Sequence, residues 1–206
     1  MNSLISINNL SIGFQSKNKK INVVDSISFK IPKGKTVALV GESGSGKTIT
    51  ALSILKLLPY PSAFHKSGEI IYKDIDILKS KQKEIEKIRG NKISTIFQEP
   101  MTSLNPLHTV EKQINEMLMT HSNISYSEST KKTKELLKQV GMENISKRIK
   151  SFPHELSGGQ RQRVMIAMSI ANRPDLLIAD EPTTALDVTV QSQIFPLIKE
   201  LQKKMN

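Results

Sequence analysis

The chain has 206 residues, 37% of them hydrophobic and 24% charged, with a net charge of +11 and no cysteine. This composition suits one globular domain with room for a small inserted subdomain. It excludes disulfides and thiolate metal sites, and no run of about 18 apolar residues offers a membrane span. The excess positive charge is spread over Lys17, Lys19 and Lys20, over Lys79 to Lys92 mixed with Glu84 and Glu86, and over Lys131 to Lys138. Aromatics make up 4% and none interleaves with these runs as a base-stacking platform would, so a solvated surface is expected and no nucleic acid.

Met1 to Leu10 lacks the basic-then-apolar order of a secretory leader, and a cytoplasmic chain is expected. Leu4 to Leu10, Ser11 to Phe14, Ile21 to Val24 and Ser26 to Ile31 read as short strands, with Pro32-Lys33-Gly34 as a turn. Phe14 stands 27 residues before Gly41, where an aromatic can stack on a purine; a core position is the alternative. Thr36 to Val40 is a β-branched apolar run, read as a buried strand. It leads into Gly41-Glu42-Ser43-Gly44-Ser45-Gly46-Lys47-Thr48, which satisfies the phosphate-binding pattern G-x-x-x-x-G-K-[ST]. The glycines let the main chain wrap a polyphosphate closely, and the helix start that follows adds N–H donors and partial positive charge. Lys47 suits the β- and γ-phosphates and the Thr48 hydroxyl suits Mg²⁺. A helix is expected from Ile49 to Leu58, stopped by Pro59.

Gly68 to Tyr72 reads as a strand, and Gln82 to Arg89 as a charged helix with Ile85 and Ile88 inward. Ile93 to Phe97 is a buried strand that delivers Gln98 at its carboxyl end, where open α/β sheets gather their ligand chemistry. Val110 to Met119 and Ser129 to Val140 are amphipathic helices with no strand between them, the second ended by Gly141. Leu156-Ser157-Gly158-Gly159-Gln160 opens a helix from Arg161 to Ala171; its start is either a second anion site or a plain capped terminus. Leu176 to Glu181 is a buried strand ending in two carboxylates, of which Asp180 suits Mg²⁺ and Glu181 suits a general base toward water. Thr189 to Lys204 is a final helix in which Pro196 predicts a kink or break.

In this order the motifs resemble the ATP-binding subunits of ABC transporters. Gly41 to Thr48 matches Walker A, Gln98 the Q-loop, Leu156 to Gln160 the LSGGQ signature, Leu176 to Glu181 Walker B, and Ala185-Leu186-Asp187 the D-loop. Gln98 to Pro106 and Ile178 to Thr189 further resemble the dipeptide, oligopeptide and nickel importer branch. The resemblance covers essentially the whole chain. It implies an α/β phosphate-loop NTPase core, residues 1–98 and 160–206, with an N-terminal antiparallel subdomain and a helical subdomain at 99–159 carrying the signature.

The resemblance also implies ATP and Mg²⁺ as ligands, with Gly41, Glu42, Ser43, Gly44, Ser45, Gly46, Lys47 and Thr48 around the phosphates and Phe14 on the base. Thr48, Gln98 and Asp180 would hold the metal, and Glu181, Lys47 and Gln98 would serve hydrolysis. Ser157, Gly158, Gly159 and Gln160 of one subunit would close on the nucleotide of a second ATP-binding subunit, with Asp187 crossing between them. Transmembrane permease subunits and, indirectly, an extracellular solute-binding protein are the further partners, which places the chain on the cytoplasmic face of the membrane. One departure from the family pattern is that none of His65, His108, His121 and His154 lies beyond Asp187, where the H-loop histidine would stand, and the sequence ends 25 residues after Glu181. A chain lacking its later strands is the expectation, with unpaired edges and weak ATPase activity. A nucleotide-binding remnant without turnover and a soluble nucleic-acid-associated ATPase of the same family stand as the alternatives.

Overall fold

The structure is a computed structural model that describes residues 3–17, 19–98, 103–142, 144, 148–183 and 188–205, by backbone alone at 188, 189 and 205. It divides into two compact units, Met1–Arg89 and Gly90–Asn206.

The N-terminal unit is an antiparallel sheet of order β2-β1-β3-β4, built from β1 (Ser3–Ser16), β2 (Lys19–Pro32), β3 (Ala63–Tyr72) and β4 (Ile75–Asp76). The four short strands expected at the start are two long ones, and the apparent breaks are bulges. Fully buried residues fall on odd positions at Ile5 and Ile7, then on even positions at Leu10 and Ile12. A strand alternates faces, so this change of parity requires one inserted residue. Asn9, at φ 46, supplies it, and the register with β2 shifts between Ile7 and Leu10. The peptide groups displaced there find side chains: Asn9 N–H donates to Ser28 Oγ at 2.8 Å, and Ser26 N–H donates to the buried Ser11 Oγ at 2.9 Å.

Gly68 of β3 lies against the same bulge at φ +93, where a Cβ would stand 2.5 Å from Asn9 O and Leu10 Cα. Gly68→Ala is expected to lower stability by about 3 kcal/mol, through left-handed strain plus a backbone clash that cannot relax. A urea unfolding midpoint unchanged from the parent chain would refute this.

Thr36 to Val40 is no strand: Val37 and Leu39 are exposed and Val40 is 88% exposed. The run has strand propensity, but a strand also needs a neighbour to receive its N–H and C=O groups. Among the described residues no ladder includes it. Helix α1 (Lys47–Ser53) is shorter than the pattern suggested. Past Ser53 it tightens into i→i−3 bonds such as Lys56 N–H to Ser53 O at 3.0 Å, and Lys56 turns left-handed at φ 50. Arg89 then takes the exposed helix-end carbonyls, donating from Nε to Leu55 O at 2.6 Å and from Nη2 to Lys56 O at 2.7 Å. Helix α2 (Gln82–Ile88) turns Ile85 and Ile88 inward as expected.

The C-terminal unit pairs β5 (Ile93–Ile96) with β6 (Leu176–Ala179) in parallel, Ile93 opposite Leu176 and Ile96 opposite Ala179. The crossover carries α3 (Val110–His121), α4 (Tyr126–Gln139), a 3₁₀ turn (Pro153–Glu155) and α5 (Gly158–Ile170); α6 (Val188–Met205) follows β6. Ile114, Leu118, Leu137, Val164, Ile166, Ile194 and Leu201 share one core. Strand β6 is half-buried, not buried as its apolar run implied, because among the described residues only β5 lies beside it. Helix α4 begins three residues before the expected Ser129, for a readable reason. Ser125 and Glu128 form a capping box, Ser125 N–H donating to Glu128 Oε2 at 2.8 Å and Glu128 N–H to Ser125 Oγ at 3.3 Å. The Ser125 N–H and the Ser125 hydroxyl, which donates to the same Oε2 at 2.8 Å, hold the Glu128 carboxyl below its ordinary pKa.

Of the kink or break expected at Pro196, the break is not made: helix α6 continues through it. Ile194, Leu197 and Leu201 are buried around it, each contributing roughly 1.5–3 kcal/mol by burial, which outweighs a local penalty of about 3 kcal/mol. Pro196 itself is exposed. Pro196→Ala is therefore expected to stabilise the chain by about 2–3 kcal/mol, seen as a higher thermal midpoint; a fall would mean the ring is fitted to its surroundings.

Candidate functional site

The phosphate-loop pattern folds into a turn-rich segment seated on the N-terminal sheet. Ser45 N–H donates to Glu42 O at 3.2 Å, and Thr50 N–H donates to Gly46 O at 2.8 Å as the first helical bond of α1. Gly46 caps the helix in the left-handed region at φ 89 and ψ 11 and adds no side chain. A Cβ there would meet Val24 Cγ2 at 2.9 Å and Val23 O at 3.1 Å, so β2 sets the seat of the helix start. Gly44, at φ +79, has open space around it, and Gly41, Glu42, Ser43, Ser45 and Thr48 are exposed. Lys47 folds back over the loop, its Nζ donating to Gly41 O at 2.9 Å and Glu42 O at 2.7 Å. The result is a glycine-rich turn with an ammonium held over it, a donor set of the chemistry that suits a polyphosphate. Phe14 is half-buried in β1, opposite Ile21 and Ala63.

In the C-terminal unit the tips of β5 and β6 bring three predicted residues together. Asp180 N–H donates to Ile96 O at 3.1 Å, extending the strand pairing one step past Ala179. Just beyond, Gln98 Nε2 donates to Glu181 Oε2 at 3.0 Å. Glu181 sits at φ 46, a conformation that costs a non-glycine residue of order 1–3 kcal/mol and recurs at functional sites. An exposed carboxylate oriented by a side-chain amide is suited to receive a proton from water.

The signature stretch forms a capping box at the start of α5. Ser157 N–H donates to Gln160 Oε1 at 3.1 Å, and Gln160 N–H donates to Ser157 Oγ at 3.3 Å. Two glycines lie between these partners, Gly158 exposed, and Gly159 packed where a Cβ would come 3.0 Å from Val190 Cγ1. Asp187 lies outside the described residues.

The donors predicted for Mg²⁺, the Thr48 hydroxyl, the Gln98 amide oxygen and the Asp180 carboxylate, are hard oxygens of the right chemistry. Mg²⁺ is ordinarily held by one or two such groups together with substrate phosphates and water. Among the described residues no group of three or more His, Asp or Glu could hold a metal ion by itself.

Sequence reading missed Gln162, on α5, which is fully buried and donates from Nε2 to Pro182 O at 2.7 Å. A signal was present: Gln162 falls on the same helical stripe as Met165, Ile166 and Ser169, all buried, and a glutamine at such a position needs a partner.

A family model described as "ABC transporter" matches residues 24–184. The chain is 58% identical over 199 residues to the peptidoglycan transport ATP-binding protein YejF of Agrobacterium fabrum, covering 97% of this chain and 36% of that protein. It is 49% identical over 203 residues to the oligopeptide transport ATP-binding protein OppD of Bacillus subtilis, covering 98% and 57%. Among solved structures, it superimposes with a TM-score of 0.84 at 30% identity on a dimeric post-hydrolysis state of the ATP-binding cassette MJ0796 bound to ADP and Pi, covering 97% of this chain and 83% of that one. The chain thus spans between about a third and three fifths of the length of these two curated relatives.

Proposed function

The chain belongs to the ABC transporter family, and from that premise we propose that it is the ATP-hydrolysing subunit of a peptide importer. The observation that carries the reading is the Gln98–Glu181 hydrogen bond of 3.0 Å, one residue beyond Asp180 at paired strand tips. It supports a base poised over water rather than a nucleotide store. In this reading Lys47 and the first N–H groups of α1 bind the β- and γ-phosphates and neutralise their charge. Phe14 stacks on the adenine. Thr48, Gln98 and Asp180 would hold Mg²⁺, which when bound adds positive charge beside the phosphates. Glu181 takes the proton of the attacking water, and Gln98 keeps its carboxylate aimed.

Ser157, Gly158, Gly159 and Gln160 present the start of α5 to the nucleotide of a second ATP-binding subunit, and Asp187 reaches across to it. Closure of that pair drives the permease subunits from the cytoplasmic face of the membrane, fed by a solute-binding protein outside. The relatives' names favour peptides over nickel as cargo.

The test is reconstitution with the permease subunits in liposomes, scoring Mg²⁺-dependent ATP hydrolysis and uptake of a labelled oligopeptide. Uptake that requires ATP and is competed by unlabelled peptide is the expected result. An assembled complex that binds ATP without hydrolysing it would overturn the reading.

A further inference from the structure

We propose that Gln162 is a positioning residue for hydrolysis, linking the helix that carries the signature to the peptide bond that follows the catalytic-base candidate Glu181; this rests on the ATPase reading above. Gln162 stands five positions after the Ser157 cap on the same helix. Its side chain is fully buried, and its Nε2 donates to Pro182 O at 2.7 Å. Pro182 is itself buried and follows Glu181 directly, so this carbonyl sits one residue past the left-handed backbone of Glu181.

A second amide steadies the same segment from α6, where Gln191 Nε2 donates to Thr183 O at 3.0 Å. The two helices are themselves tied together. Arg163 Nη2 donates to Gln193 Oε1 at 2.8 Å, and Gly159 presses on Val190. A displacement of the start of α5 therefore cannot be absorbed by slip against α6. It is delivered through Gln162 to the main chain at Pro182, and from there to the orientation of the Glu181 carboxylate.

The chemistry of the position argues that Gln162 serves more than packing. Its Oε1 is buried and meets no hydrogen-bond partner among the described residues. A buried unpaired acceptor is destabilising, and an unbranched apolar side chain of similar volume would exchange that one, Gln162 Oε1, for another, Pro182 O, at a small net cost to the fold. The donor to Pro182 O is what such a replacement would lose. Misplacement of a reacting group by an ångström is enough to slow a reaction roughly 100-fold.

The experiment compares the full chain with Gln162→Met, which removes donor and unpaired acceptor together, and with Gln162→Leu, which does the same with a shorter, branched side chain. Expected for the Met variant is a thermal midpoint within a few degrees of the parent, ATP affinity and KM within twofold, and kcat lowered about 10- to 100-fold. Backbone amide exchange at Glu181 and Thr183 should be faster in both variants. Retention of kcat within twofold by the Met variant overturns the proposal. So does a loss of rate that merely follows a loss of folded protein. If the parent chain does not hydrolyse ATP, the function proposed above fails, and exchange at 181 and 183 still decides the link: faster in the variants supports it, unchanged refutes it.

Discussion

Glu181→Gln is expected to slow ATP turnover by roughly 10²–10⁴-fold while leaving nucleotide binding within twofold, the range by which a positioned general base accelerates proton transfer. The substitution isolates the proton acceptor well. Gln98 donates to Glu181 Oε2 from Nε2, and a glutamine at 181 still offers a carbonyl oxygen to accept that bond. The side chain keeps its length, and the backbone at φ 46 is asked to hold a residue of the same shape. Only basicity is removed. Steady-state hydrolysis by the assembled transporter, beside a fluorescent-nucleotide titration, separates the two quantities. Turnover within tenfold of the parent would show that Glu181 is not the base.

Lys47→Met is expected to act on both quantities at once, weakening nucleotide binding and lowering turnover by about 10²–10³-fold each, since one charged donor serves ground state and transition state alike. Its effect on folding should be small. The ammonium donates to Gly41 O and Glu42 O on an exposed loop, and water can replace it at both carbonyls, so a change within about 1 kcal/mol is expected. Calorimetric titration with Mg·ATP and a thermal melt test the two halves. A variant that binds normally and only hydrolyses slowly would move Lys47 from holding phosphates to the chemical step alone.

The parts of the chain that could be read in advance were those whose meaning is local. Gly41 to Thr48 could be read as a turn running into a helix because the turn, the left-handed glycine cap and the charge held over it all come from neighbours in sequence. Helix α2 and the cores of α3 to α6 followed from stripes of apolar residues for the same reason. What escaped was set by distant partners. Thr36 to Val40 has every property of a strand except a neighbour to pair with, and β6 has a neighbour on one side among the described residues. The bulge at Asn9 was latent in the change of parity between Ile7 and Leu10, but its closure depends on Ser28 and Gly68, 19 and 59 residues away. Pro196 failed as a helix breaker because Ile194, Leu197 and Leu201 reach a core that no local rule contains. Gln162 escaped most completely: its partner is a carbonyl 20 residues on, and a glutamine inside a signature helix attracts no notice unless its face is counted.

The contact between Gly46 and β2 makes the sheet an anvil for the nucleotide loop. Val24, 22 residues upstream of the glycine, is buried, and its methyl group would stand 2.9 Å from any Cβ placed on Gly46. Swelling the side chain at 24 would thus lift the first turn of the helix and splay the donors at its mouth. Such a change, remote from every recognised motif, would register as poorer grip on ATP beyond the roughly 1–3 kcal/mol of stability that overpacking a buried site costs.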